Sequence, residues 1–126
     1  MMKTLIVGTG GFLGAITRYG LSGLVHRFAG GLFPLGTMAV NLIGCFVIGG
    51  LMSLVEDRQM LAPSTRLFLG IGFLGSFTTF STFSYETVAL MRHGSMRMAA
   101  LNVVVSVTLG LVAVGAGWAT ARAILS

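Results

Sequence analysis

Charge is what this chain has least of. Only 9% of its 126 residues are Asp, Glu, Lys or Arg, against about a quarter in an ordinary soluble domain. So little polar surface would not keep a folded domain dispersed in water. With 55% hydrophobic residues, the bilayer is the natural solvent, and no room is left for a separate soluble domain of ordinary size. Cysteine is nearly absent. Cys45 stands alone, which excludes an intrachain disulfide and a zinc cluster; inside an apolar run its thiol behaves as a small hydrophobe. Acids number three, and the first along the chain is Glu56. That scarcity disposes of a decoy. The stretch from Lys3 through Gly8, Gly10 and Gly14 looks like a strand entering a dinucleotide-binding turn, but the glycine spacing differs from the fingerprint and no acid follows about 20 residues on to hold a ribose. A basic stripe is missing too. The eight cations that produce the +5 balance are scattered singly, which argues against nucleic acid and for basic residues flanking membrane helices. The two histidines, His26 and His93, fall at loop positions, and no nucleophile–base pair emerges, so no enzyme is expected.

What is there is long apolar sequence. A helix needs about 20 residues to cross the hydrocarbon core, and four segments qualify. They cover residues 4–27, 34–55, 64–92 and 96–124 of a single membrane domain. The polar interruptions are His26-Arg27 with Gly30-Gly31, then Glu56-Asp57-Arg58-Gln59 with Pro63, then Arg92-His93-Gly94-Ser95. Pro34 fits a first helical turn, and Ser64 or Thr65 is an N-cap candidate. The N-terminal apolar run lacks a small-x-small cleavage site and is expected to be a retained helix. Short loops imply antiparallel neighbours with both termini on one side. That side carries Lys3, Arg58, Arg66 and Arg122; the other carries Arg27, Arg92 and Arg97, with Arg18 depending on its depth. The bias that normally fixes orientation is almost nil, which predicts insertion both ways and an antiparallel pair. Gly10 with Gly14, or Gly11 with Ala15, are small-xxx-small pairs suited to close helix approach.

The third segment carries an unusual run, residues 75–87, dense in hydroxyls and aromatics. Such a run is tolerated in lipid where it lines a protein-enclosed path or a helix break. Gly72 and Gly75 weaken the helix, and Ser76, Thr78 and Thr79 compete for its backbone hydrogen bonds. A break near 75–79 would expose carbonyls or amides at the midplane; the alternative is a kinked, packed helix with hydroxyls bonded to their own backbone. On a helix from residue 80, Phe80, Phe83, Ser84 and Thr87 share one face. The rings are core or, through their positive edges, weak anion sites. Asn41, with Thr37 one turn before it and Gly44 after it, brings an amide into the second segment. It donates to an anion, caps the broken helix or serves as interhelical glue. Asn102, Ser106 and Gly110 continue a thin polar stripe on the fourth. Arg18 and Glu86 are the charges placed inside the membrane zone, in a vestibule or structural role.

Taken together, Gly10-Gly11-Phe12-Leu13-Gly14-Ala15 with Arg18, Gly36-Thr37-Met38-Ala39-Val40-Asn41 with Gly44, and Gly72-Phe73-Leu74-Gly75 leading through Thr78-Thr79-Phe80-Ser81-Thr82-Phe83-Ser84 to Glu86 resemble the Fluc (CrcB) fluoride channels of microorganisms. The likeness runs through nearly the whole chain, and the Thr-Thr-Phe-Ser-Thr-Phe run is its specific part. The resemblance implies an all-α membrane protein with four transmembrane helices, the third broken, forming an antiparallel dual-topology homodimer with two fluoride pores. It implies Phe80 and Phe83 as pore-lining aromatics and Asn41 as the polar pore residue. Thr37, Ser84, Asn102 and Ser106 join the track, and the backbone carbonyls of Gly75 and Thr78 hold a structural Na⁺ at the dimer axis. It implies a multi-pass protein of the inner cell membrane that lets cytoplasmic fluoride escape passively. Ser76 stands where the family often has glycine, and Asn102 where a tyrosine is frequent. Two other readings compete: a small proton-coupled multidrug exporter, which wants a carboxylate in its first helix where this chain has none, and a non-transport membrane interaction subunit.

Overall fold

The computed structural model describes residues 1–57 and 59–126. Arg58, counted above among the cations of the second loop, lies outside the described residues. Everything regular among them is helical. Helix α1 (Met2–Ala29) ends at Gly30 and Gly31, whose φ angles of 61° and 85° lie in the left-handed region where a Cβ is disfavoured. Helix α2 (Leu35–Glu56) starts one residue later than expected, with Pro34 outside it as N-cap. The third span opens at α3 (Pro63–Arg66), and here the expected cap is corrected. Pro63 is the first helical residue, Ala62 precedes it as N-cap, and neither Ser64 nor Thr65 caps. Proline's fixed φ suits that position and its missing N–H is not needed there. Helix α6 (Met96–Leu125) closes the chain.

Between α3 and α6 the third span changes character twice. Leu67–Leu74 is a π-helix, followed by the short α4 (Gly75–Phe77). Thr78 and Thr79 are extended, with φ/ψ of −81°/155° and −149°/114°, and α5 (Phe80–Arg92) then begins. The break is therefore real but narrower than residues 75–79: Gly75 and Ser76 stay helical. The glycine-weakened stretch upstream shows itself as a widened helix instead, a form that recurs at functional sites.

Among the described residues, three stretches are long and apolar enough to cross a membrane: Leu35–Glu56, Pro63–Arg92 and Met96–Leu125. Helix α1, at 28 residues or ~42 Å, has the length; its glycines, threonines and Arg18 dilute its hydropathy. Glycine contact holds the bundle. A Cβ on Gly49 would strike Val114 O, and one on Gly117 would strike Phe46 O, so α2 and α6 touch backbone to backbone. Gly10 and Gly14 do the same for α1 against the third span, where added methyls would meet Phe68 O, Phe73 O and Ser76 Oγ. These are the small residues expected to allow close approach. Val40, Leu51, Leu74 and Phe77 form the buried core between α2 and the upstream half of the third span. Arg122 Nε lies 3.8 Å from Asp57 Oδ2, tying the end of α6 to the second loop and placing both at one end of the bundle.

Candidate functional site

The site grows out of the break. Asn41, in the second turn of α2, meets Thr79 with both ends of its amide. Its Nδ2 donates to Thr79 O at 3.0 Å, and Thr79 N donates to its Oδ1 at 2.7 Å. Asn41 thus acts as a substitute strand edge, pairing the second of the two residues whose backbone left the helix. Of the roles open to it, capping the break is the one the geometry displays. One Nδ2 proton remains for another acceptor. Thr79 also caps α5, since its Oγ1 accepts from Thr82 N at 3.2 Å. Gly44 makes room: a Cβ there would overlap the Thr78 side chain.

These bonds have a consequence for two carbonyls. In an unbroken helix, Gly75 O and Thr78 O would accept from the amides of Thr79 and Thr82. Those amides are diverted to Asn41 Oδ1 and Thr79 Oγ1. The expected Na⁺ ligands, Gly75 and Thr78, are therefore residues whose carbonyls lose their regular donors at the break. Both residues line a cavity of about 440 Å³, and Gly75 is exposed.

Asn41, Phe80, Phe83 and Ser106 line the same cavity, and none of its lining residues is charged. The two rings sit 5.7 Å apart between centroids, tilted by 42°. Phe80 is 79% exposed, so one wall of the cavity is open. Cys45 lines it as well.

Beside the cavity runs a connected polar chain. Thr87 Oγ1 donates to Phe83 O at 2.7 Å, Asn102 Nδ2 donates to Thr87 Oγ1 at 2.9 Å, and Ser106 Oγ donates to Asn102 Oδ1 at 3.3 Å. Asn102 is buried and lies behind the cavity wall, joining α5 to α6, while Ser106 reaches the cavity itself. Thr37 Oγ1 donates to Glu86 Oε1 at 2.8 Å, one turn from Asn41. Glu86 lines a separate cavity of about 250 Å³ with His26 and His93. Glu86 Oε2 and Arg18 Nε are both buried atoms without a hydrogen-bond partner among the described residues. Ser84 is half-buried and outside the 440 Å³ cavity.

Two residues that the sequence marked only as competitors for helical hydrogen bonds, Thr79 and Ser76, make specific contacts whose partners it did not indicate. Thr79 is the residue that Asn41 clamps; the Thr-x-x-Thr spacing ahead of a new helix was the available signal. Ser76 lies within reach of Gly11 O, Gly72 O and Phe73 O at 2.7, 3.1 and 3.2 Å. Its bond to Gly11 O fastens the third span to α1.

Residues 5–118 match the family described as CrcB-like protein, Camphor Resistance (CrcB). The chain belongs to the CrcB-like family. Among its relatives is a fluoride-specific ion channel FluC of Geobacter sulfurreducens, 48% identical over 97% of this chain and 98% of that one. Proteins of the same name from Geotalea daltonii and Nitratidesulfovibrio vulgaris are 46% and 44% identical over the same shares. The match to the CrcB-like family takes in α1 through most of α6, and so spans every residue of the break, the cavity and the polar chain.

Proposed function

We propose that this chain is a passive, fluoride-selective ion channel that lets cytoplasmic fluoride leave across the inner cell membrane. The observation that carries the reading is the uncharged cavity at the break, where an amide, a hydroxyl and a pair of aromatic rings converge. A small, tightly hydrated anion needs donors to replace its water, and the free Nδ2 proton of Asn41 supplies one, the Ser106 proton being already given to Asn102 Oδ1. The first amides of α5, at Phe80 and Ser81, have no carbonyl within their own helix and add to that supply. Ring edges attract an anion without a formal charge. Such weak sites in series permit both entry and exit. The name carried by relatives at 44–48% identity supports fluoride as the anion.

The working unit in this proposal is an antiparallel, dual-topology homodimer with four transmembrane helices per chain, α1 included. The open cavity wall at Phe80 and Gly75 is what a second copy would close, and the near-even split of cations between the two ends gives the chain no preferred orientation. A structural Na⁺ fits the carbonyls of Gly75 and Thr78, which lost their helical donors. The chemistry it supplies when bound is positive charge that holds broken helix ends together. The chain is not an enzyme.

The experiment is fluoride efflux from liposomes containing the purified protein alone, followed with a fluoride electrode, with chloride-loaded vesicles alongside. Fluoride release without chloride release is expected. Absence of release would remove the channel reading and leave the interaction subunit. A drug-exporter reading gains nothing from the site, since α1 carries no carboxylate.

A further inference from the structure

A second concavity, of about 550 Å³, opens between the start of α1, the C-terminal half of α2 and the upstream half of the third span. Its walls are apolar, built from Ile48, Met52, Leu67 and Ile71 among others. Its ionisable lining residues are Lys3 and Arg66, with no acid beside them. Arg66 Nε donates to Leu61 O at 3.0 Å, which steadies the guanidinium and leaves its terminal NH₂ groups for another acceptor. The ion pair found among the described residues is Arg122 with Asp57, so neither Lys3 nor Arg66 has a carboxylate within salt-bridge range. Both sit where their helices begin, at the bundle end that carries Asp57, and the apolar walls run inward from there.

We propose that this groove binds an anionic phospholipid, the phosphate against Lys3 and Arg66 and the first acyl methylenes against Ile48, Met52 and Ile71. Basic recesses between membrane helices recognise such headgroups, and each cation near the surface is worth about a 5-fold gain in affinity. A second copy of the chain is the weaker occupant on charge. In an antiparallel pair it brings the end bearing Arg27, Arg92 and Arg97 to that membrane surface; in a parallel pair it brings another Lys3 and Arg66. Either way the incoming end carries net positive charge, since its cations outnumber Glu86 at one end and Glu56 and Asp57 at the other. Ile48 and Gly70 line both this groove and the cavity at the break, so the lipid would lie against the outer side of the cavity wall.

The test uses the whole protein, stripped of lipid in neutral detergent and titrated with palmitoyl-oleoyl phosphatidylglycerol or with the phosphatidylcholine of the same chains. Bound lipid is counted by native mass spectrometry. A preference for phosphatidylglycerol of about 30-fold is expected from two cations. Lys3→Gln and Arg66→Gln should each reduce it about 5-fold with phosphatidylcholine binding unchanged, Arg66→Lys should retain most of it, and Arg97→Gln should leave it intact. Equal retention of the two lipids overturns the proposal, as does an equal loss from Arg97→Gln. So does rapid chain-to-chain disulfide formation by Met52→Cys in a Cys45→Ser background, which would put a second copy in the groove. Circular dichroism and elution volume identify variants that misfold, and Arg66→Lys then decides. None of these readouts uses ion flux, so failure here leaves the channel proposal standing.

Discussion

The two halves of the third span are held by opposite means. Upstream, residues 63–77 are apolar, partly π-helical, and pressed against α1 at Gly10 and Gly14. Downstream, α5 is an ordinary helix held sideways by polar side chains: Asn41 at its start, Thr37 on Glu86, Asn102 on Thr87. In lipid every backbone dipole needs an internal partner. A chain that is to offer dipoles to a passing ion must therefore fix them with side chains. The downstream half has that equipment and the upstream half has glycine. The difference separates conduction from assembly, and substitutions in each half should fail differently.

The largest effect is expected downstream. Phe80→Ile or Phe83→Ile should lower fluoride efflux about 100-fold, equivalent to ~2.7 kcal/mol on the barrier. The folded protein should remain, since Phe80 is 79% exposed in the single chain and Ile keeps the region apolar. Wild-type efflux from both variants in liposomes would remove the rings from the mechanism. Upstream, Gly14→Val should do the reverse. Its new side chain has to displace Phe73 O and Ser76 Oγ, which overpacks a backbone contact by roughly 3 kcal/mol. Loss of folded protein on detergent-induced unfolding is expected, whereas Gly115→Ala, with nothing within 4 Å of the added methyl, should be silent. If Gly14→Val folds normally but stops conducting, the division between the halves is wrong.

At the junction both properties should suffer together. Asn41→Leu leaves Thr79 N and O without the partners they have at 2.7 and 3.0 Å. Unpartnered backbone groups in a buried site cost about 1–3 kcal/mol, and the start of α5 would no longer be fixed. Lower thermal stability and lower efflux are expected from one change. A variant with normal stability and no efflux would make Asn41 an ion ligand only.

How much of this was legible in the chain follows the same division. Apolar run length gave the helices, and Gly10 and Gly14 announced the α1 contact, because those signals are local and periodic. The location of the break was legible to within a few residues, since Thr78 and Thr79 sit in a run of helix-competing hydroxyls. Its width was not, because the width is set by Asn41, which lies 38 residues away and reaches it only through the packing of α2. The π-helix of Leu67–Leu74 was illegible for a related reason. Gly72 and Gly75 say that the helix is weak but not which way it yields; the approach of α1, where a Cβ on Gly72 would meet Val7 O, is a tertiary fact. Asn102 was readable as a polar stripe, but its burial behind the cavity wall and its bond to Thr87 depend on how α5 crosses α6.

That last bond gives a smaller effect. A double-mutant cycle of Thr87→Val and Asn102→Leu should return a coupling of ~0.6 kcal/mol, the mean for such pairs between membrane helices. Efflux should fall by less than in the Phe variants, because Asn102 orients Ser106 rather than lining the cavity. Zero coupling in the unfolding equilibrium would mean the chain from Phe83 O to Ser106 is not a unit.

The smallest effect tests the exception to the contrast. Ser76 is an upstream residue that uses a polar bond, 2.7 Å from Ser76 Oγ to Gly11 O. Its hydroxyl has other acceptors close by in Gly72 O and Phe73 O, and those are where a lone helix would send it. The cross-helix share of its contribution is therefore modest, and Ser76→Ala should destabilise by about 0.5 kcal/mol. Efflux should be unchanged, because the break begins at Thr78, and Thr78 N still donates to Leu74 O at 3.1 Å. Ser76→Gly should be worse than Ser76→Ala by up to about 1 kcal/mol, the helical penalty of glycine. If Ser76→Ala instead changes efflux at constant stability, the hydroxyl belongs to the conducting half, and the boundary between the two halves moves upstream of Gly75.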